Sequence, residues 1–125
     1  RALKYSHERK AFGKEINQFQ GISFKLADMA TNIQASKHLI YHAAYKKDKG
    51  EDVIKEAAMA KLFSSEMCMD ITTEAIQIFG GYGYIKEYDV ERFFRDSKIL
   101  EIGEGTSEVQ RIIISREILN NINPI

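Results

Sequence analysis

The chain has 125 residues, 44% of them hydrophobic, and its 18 Lys and Arg are balanced by 18 Asp and Glu. That length carries one hydrophobic core and not two. Zero net charge removes the electrostatic case for nucleic acid, an anionic membrane or a polyanionic partner, and no apolar stretch approaches the ~20 residues needed to span a bilayer.

The opening segment, Arg1 to Lys10, lacks the apolar core of a signal peptide and has no initiator Met. It reads as a helix entered part-way, so the expectation is a piece cut from a longer chain. From there glycine and proline punctuate the sequence. Pro124 is the only proline, and the eight glycines stand at 13, 21, 50, 80, 81, 83, 103 and 105. The runs between them, 22–49, 51–79, 84–102 and 106–123, are mostly too long for strands. In 22–49, Ile22, Leu26, Met29, Ile33, Ile40 and Ala44 recur at steps near three and four, which predicts a helix face. Lys46, Lys47 and Lys49 suit its negative end, and Gly50 suits the position just past it.

Glu51, Asp52 and Glu56 suit the start of a second helix. It continues through Ala57, Ala60, Ser64, Met67, Ile71, Ala75 and Ile78, a face small enough for a neighbouring helix to approach closely. Gly80-Gly81-Tyr82-Gly83 then predicts a turn with unusual dihedrals. A shorter helix carries Val90, Phe93, Phe94 and Ile99. After Gly103-Glu104-Gly105-Thr106, Ser107 and Gln110 resemble a capping box. Val109, Ile112, Ile113 and Leu119 mark the last helix, which Pro124 closes. The predicted fold is all-α, an antiparallel up-down bundle of the four-helix type.

Few residues point to chemistry. Cys68 is the only cysteine, so no internal disulfide forms, and it reads as a small buried hydrophobe. His38 and His42 stand four apart, but Leu39 occupies the place where the zinc-protease pattern needs Glu; no metal is expected. Gly80 to Gly83 lack the spacing of a dinucleotide fingerprint. They read as a helix cap and turn, or as bare backbone that a flat or phosphorylated ligand can touch. Glu104 is the most suggestive residue. It is a carboxylate between two glycines at a helix start, where backbone amides polarise a carbonyl oxygen. A carboxylate beside a polarised carbonyl is what α-proton abstraction requires. The plain alternative is an acidic residue favoured by the helix dipole.

Several segments, in order, resemble the C-terminal helical domain of the acyl-CoA dehydrogenases, most closely the short- and medium-chain type. They are Arg9-Lys10-Ala11-Phe12-Gly13-Lys14, Gln20, Phe24 to Met29, Lys55 to Lys61, Gln77 to Tyr84, Arg95-Asp96 and Glu104 to Arg111. The resemblance spans nearly the whole chain, and it implies that residues 1–125 are that domain alone. The family's N-terminal helical and middle β domains would be absent, and the fragment by itself inactive.

By that resemblance Glu104 removes the α-proton of an acyl-CoA thioester while the β-hydrogen leaves as hydride to FAD, giving a trans-2-enoyl-CoA. Gly105 and Gly103 would lie beside the substrate. Gly103 stands where many relatives carry Tyr, so acyl-chain preference is not inherited. Thr106 and Glu108 match positions that bind FAD in the same subunit. Arg9, Phe12, Gln20, Gln77, Gly80 and Gly81 match positions that reach the FAD of a neighbouring subunit. The implied partners are an acyl-CoA, an electron-transferring flavoprotein as electron acceptor, and further copies of the chain as a dimer or tetramer. The implied compartment is the prokaryotic cytoplasm or the mitochondrial matrix. Two alternatives stay open: a related oxidase that passes its electrons to oxygen, and a helical module that serves only in assembly.

Overall fold

Residues 1–120 are described by a computed structural model; Pro124 and the helix stop expected of it lie outside them. The elements in chain order are α1 (Ala2–Glu8), β1 (Lys10–Ala11), β2 (Lys14–Glu15), a 3₁₀ turn (Ile16–Gln18), α2 (Gln20–Asp48), α3 (Ile54–Phe79), α4 (Gly81–Tyr84), α5 (Val90–Ile102) and α6 (Ser107–Asn120). The all-α bundle is present. Helix α3 is its axis and packs against α2, α5 and α6.

The long helices stop where their chemistry says they should. At the end of α2, Gly50 adopts a left-handed φ of 76°. Its N–H donates to the carbonyl of Lys47 at 3.0 Å, and Glu51 N–H donates to that of Lys46 at 3.1 Å. This is a Schellman closure, and it turns the chain back antiparallel. Helix α3 begins at Ile54, three residues later than its acidic residues suggested, with Asp52 Oδ1 accepting from Ile54 N–H at 3.1 Å. Lys46 bridges the turn to Glu56 at 2.8 Å and to Glu51 at 3.8 Å.

The front of the chain differs from the sequence reading. Helix α1 ends at Glu8, and Lys10–Ala11 pairs antiparallel with Lys14–Glu15. Phe12 (φ 50°) and Gly13 (φ 81°) form the two-residue turn of this hairpin. Such short strands show no alternation for a sequence reader to find.

The apolar faces are also shifted. Ile40 is 45% exposed, Ile99 60%, Ile112 54% and Leu119 78%. The positions turned inward are small or polar: Ser36 and Ala43 on α2, Ala58, Ala60 and Ser65 on α3, Ser97 on α5, Gln110 on α6. The helices sit too close for large side chains between them. Ser36 and Ser64 hydroxyls meet at 2.7 Å across α2 and α3, and Thr72 and Ser97 meet at 3.1 Å across α3 and α5. A conventional apolar core survives at one end, where Ala2, Ile16, Ile78, Phe79 and Val90 are buried together. Tyr5 stacks on Phe79 there with ring centroids 4.0 Å apart. An apolar groove of about 670 Å³ runs over α3 between α2 and α5. Cys68 is half-buried and lines this groove, rather than filling the core. Among the described residues no helix is long and apolar enough to cross a membrane.

Glu56 carries the clearest acid-sensitive contact. The hydrogen bond from Lys46 holds its carboxyl below the ordinary value of about 4.3, outweighing partial burial. A depressed folded-state value means the contribution is complete above the ordinary value and is lost as pH falls through the lower folded one. Glu56→Gln should therefore flatten the acid side of a plot of urea midpoint against pH. A variant curve parallel to wild type below pH ~5 would count against this contact.

Candidate functional site

The site is built from two groups of residues at opposite ends of α3. The first is the loop between α5 and α6. Gly103 closes α5 with its N–H on the Ile99 carbonyl at 2.7 Å. Glu104 then adopts φ 56° and Gly105 φ 90°. A left-handed backbone at glutamate costs roughly 1–2 kcal/mol, so something must hold it. Two side chains do. Gln110 Nε2 donates to the carbonyls of Glu104 at 3.4 Å and Gly105 at 3.1 Å, and Lys61 Nζ donates to the carbonyl of Gly105. The Glu104 side chain is exposed, and among the described residues its carboxylate has no hydrogen bond or ion pair. The N–H groups of Glu104 and Gly105 likewise find no acceptor among these residues.

No capping box forms, and the N-cap lies one residue earlier than the sequence suggested. Thr106 caps α6: its carbonyl accepts from Gln110 N–H at 2.9 Å and its Oγ1 accepts from Val109 N–H at 3.3 Å. Ser107 sits inside the first turn with a buried hydroxyl that has no partner among the described residues. Gln110 is thereby free to turn back onto the loop. Glu108 is exposed, and its carboxyl is held below the ordinary range by its own backbone N–H and then by the Thr106 hydroxyl.

The second group surrounds the end of α3. Gly80 takes φ 60° and ψ −137°, a combination open to glycine and hostile to side chains. The expected bare turn is in part helical, since Gly81–Tyr84 forms one turn, α4. A cleft of about 560 Å³ opens here, and Arg9, Phe12, Gly80 and Gly81 all line it. A Cβ added at Gly80 or Gly81 would meet nothing within 4 Å, so backbone faces open space at both. Phe12 is 96% exposed on the hairpin tip, and the Arg9 guanidinium lies 5.5 Å from the centroid of Tyr82. A cation flanked by aromatic rings and bare backbone suits a flat aromatic ligand that carries phosphate.

Two expected residues stand apart. Gln20 opens α2 exposed, and Gln77 lies on a separate depression with Tyr84 and Arg95. His38 and His42 are exposed, and no metal-holding cluster of His, Cys, Asp or Glu occurs among the described residues. Lys61 touches the Glu104 loop, whereas Phe79 adjoins the cleft. Along α3 these are separated by on the order of 27 Å.

The family described as acyl-CoA dehydrogenase, C-terminal domain, matches residues 1–119. This chain belongs to that family. It is 53% identical over 118 residues to the caffeyl-CoA reductase-Etf complex subunit CarC of Acetobacterium woodii, which covers 94% of this chain and 31% of that protein. It is 50% identical over 117 residues to the short-chain specific acyl-CoA dehydrogenase of Clostridium acetobutylicum, with the same coverage. The structure of butyryl-CoA dehydrogenase from Megasphaera elsdenii superimposes with a TM-score of 0.93 at 51% identity, over 94% of this chain and 31% of that one. The chain thus spans about a third of the length of the relatives it matches.

The helix α4 depends on one further glycine. A Cβ at buried Gly83 would stand 2.7 Å from the Ile76 carbonyl oxygen and 2.9 Å from the Ile76 Cα, which are backbone atoms and cannot step aside. Gly83→Ala should cost roughly 1–3 kcal/mol in urea unfolding, while Gly81→Ala stays within about 0.5 kcal/mol. Equal stability of the two variants would refute the tight seat of α4 on α3.

Proposed function

We propose that residues 1–125 are the C-terminal helical domain of an FAD-dependent oxidoreductase acting on acyl-CoA thioesters, with Glu104 as the base that takes the α-proton. One observation carries this reading. Glu104 is held in a costly left-handed conformation with its carboxylate exposed and unpartnered among the described residues. Strain of this kind persists where function needs it. A non-catalytic assembly module has no use for it.

An α-C–H is too weak an acid for a carboxylate unless negative charge on the thioester oxygen is stabilised. The unbonded N–H of Glu104 is available to that oxygen, while the carboxylate takes the proton. Gly103 and Gly105 match positions beside the thioester, although the space a side chain would take is filled by Ile99 at Gly103 and by Gln110 at Gly105. When bound, FAD supplies the acceptor for the β-hydrogen as hydride. Thr106 and Glu108 adjoin Glu104 and would contact the flavin of their own subunit. Arg9, Phe12, Gly80 and Gly81 would contact the flavin of a neighbouring copy, and Gln20 and Gln77, outside the cleft, are matched to it by the family pattern alone. The separation of the two groups along α3 supports two flavins rather than one. It follows that the working site needs a dimer or tetramer, and that this chain alone is inactive.

The names of the relatives also support the reverse direction. The set includes a caffeyl-CoA reductase-Etf complex subunit and an acryloyl-CoA reductase (NADH) at 50–53% identity. In that direction Glu104 returns the proton to the α-carbon. An electron-transferring flavoprotein is the partner we infer for either direction. The bacterial relatives support a cytoplasmic setting.

The test uses the full-length flavoprotein that carries this domain. Glu104→Gln should lower turnover of acyl-CoA with an artificial electron acceptor by about 10²–10⁴-fold while the flavin stays bound. Turnover near wild type would remove Glu104 from the role of base. Comparing acyl-CoA plus oxidant with enoyl-CoA plus reduced flavoprotein decides the working direction.

A further inference from the structure

The hydrogen bonds beneath the α5–α6 loop do more than hold it together. The carbonyl oxygens of Glu104 and Gly105 both point inward. They meet the amide of Gln110 from α6 and the ammonium of Lys61 from α3. A trans peptide places its C=O and N–H on opposite sides. Turning the Glu104 carbonyl inward therefore turns the Gly105 N–H outward. Turning the Gly105 carbonyl inward does the same for the Thr106 N–H. Two successive peptide planes are thus set by side chains from two different helices. Fixing the plane after Glu104 limits the directions in which its Cα–Cβ bond can leave the loop.

Gln110 is suited to this task. It is 6% exposed, and its amide serves both carbonyls. It also fills the space beside Gly105, where a Cβ would lie 2.7 Å from its Nε2. Lys61 adds a charge-assisted bond from the N-terminal part of α3, stronger than a neutral one. Without these donors two carbonyls would be left partly buried, and nothing would offset the left-handed φ at Glu104. The loop would then relax towards ordinary dihedrals and carry the carboxylate away from its place.

We propose that Gln110 and Lys61 are positioning residues for Glu104, holding the strained backbone from which its carboxylate leaves the loop. This rests on Glu104 being the base. Neither side chain is placed against substrate; each acts through the backbone of the loop.

The experiment uses the full-length flavoprotein, with butyryl-, hexanoyl- and octanoyl-CoA as substrates and ferricenium as electron acceptor. Gln110→Met keeps length and removes the donors; Lys61→Met does the same, and Lys61→Arg restores a donor. A displacement of the order of 1 Å at a reacting group is worth ~10²-fold. Each Met variant should accordingly lose about 10–100-fold in kcat, with KM within about twofold of wild type. Flavin content and melting temperature should be retained, and the isotope effect with α-deuterated thioester should rise. Lys61→Arg should recover most of the rate.

Wild-type kcat in both Met variants would overturn the proposal. So would kcat and KM worsening together with loss of flavin or of folding in both, because the residues would then be structural only. If one variant fails to fold, the other decides. Glu104→Gln run in parallel separates the two ideas. An inactive Glu104→Gln beside fully active Met variants sinks the positioning role alone, whereas an active Glu104→Gln sinks the base assignment and this proposal with it.

Discussion

Helix α3 touches α2, α5 and α6, and it can do so because its inward positions are small. Ala58, Ala60 and Ser65 are buried, and the contacts to α2 and α5 run through the Ser36–Ser64 and Thr72–Ser97 hydroxyl pairs. Close approach gains dispersion contacts along the whole helix and satisfies the hydroxyls that make it possible. It also places Lys61 at one end within reach of the α5–α6 loop and Phe79 at the other behind the glycine cleft. Both candidate groups of residues are therefore set against a single helix, at a separation fixed by helix rise.

The same arrangement leaves large apolar side chains outside. The chain exposes 8744 Å², against roughly 6,800 Å² for a compact monomer of this mass. Ile99, Ile102, Ile112 and Leu119 are more than half exposed, and the groove between α2 and α5 is apolar. Surface of this extent and character is normally met by other protein. It agrees with a chain that spans about a third of its relatives' length, and with a proposed site shared between copies. Ion pairs across helices, Lys25–Glu74 and Arg111–Glu66, fix register between neighbours without adding much stability at such exposure.

Much of this is legible in the sequence. Long runs free of glycine and proline mark the helices, and the lysines before Gly50 mark the first stop. Glu104 stood out through its flanking glycines. The departures from the sequence reading have separate physical causes. Along most of α3 the inward positions are small or polar, so Ile40, Ile112 and Leu119 belong to the outer face, and only at its end do Ile78 and Phe79 turn inward. The capping box fails for another reason. Thr106, Ser107 and Gln110 offer several local pairings, and only the tertiary contact of Gln110 with the loop carbonyls selects among them. The β-hairpin leaves no mark in the sequence because strands of two residues have no period.

What the sequence determined by itself is local: helix content, helix ends, the family pattern and the residue types that can do acid–base chemistry. These follow from interactions within a few positions along the chain. The tertiary structure decided which faces meet and how close they come. It also decided that Lys61 and Gln110, 44 and 5 positions from Gly105, converge on one carbonyl of the loop that bears Glu104. The physical reason is that a left-handed carboxylate between two glycines is unstable alone. Its conformation is maintained by donors from other helices, and nothing in their local sequence says where they point.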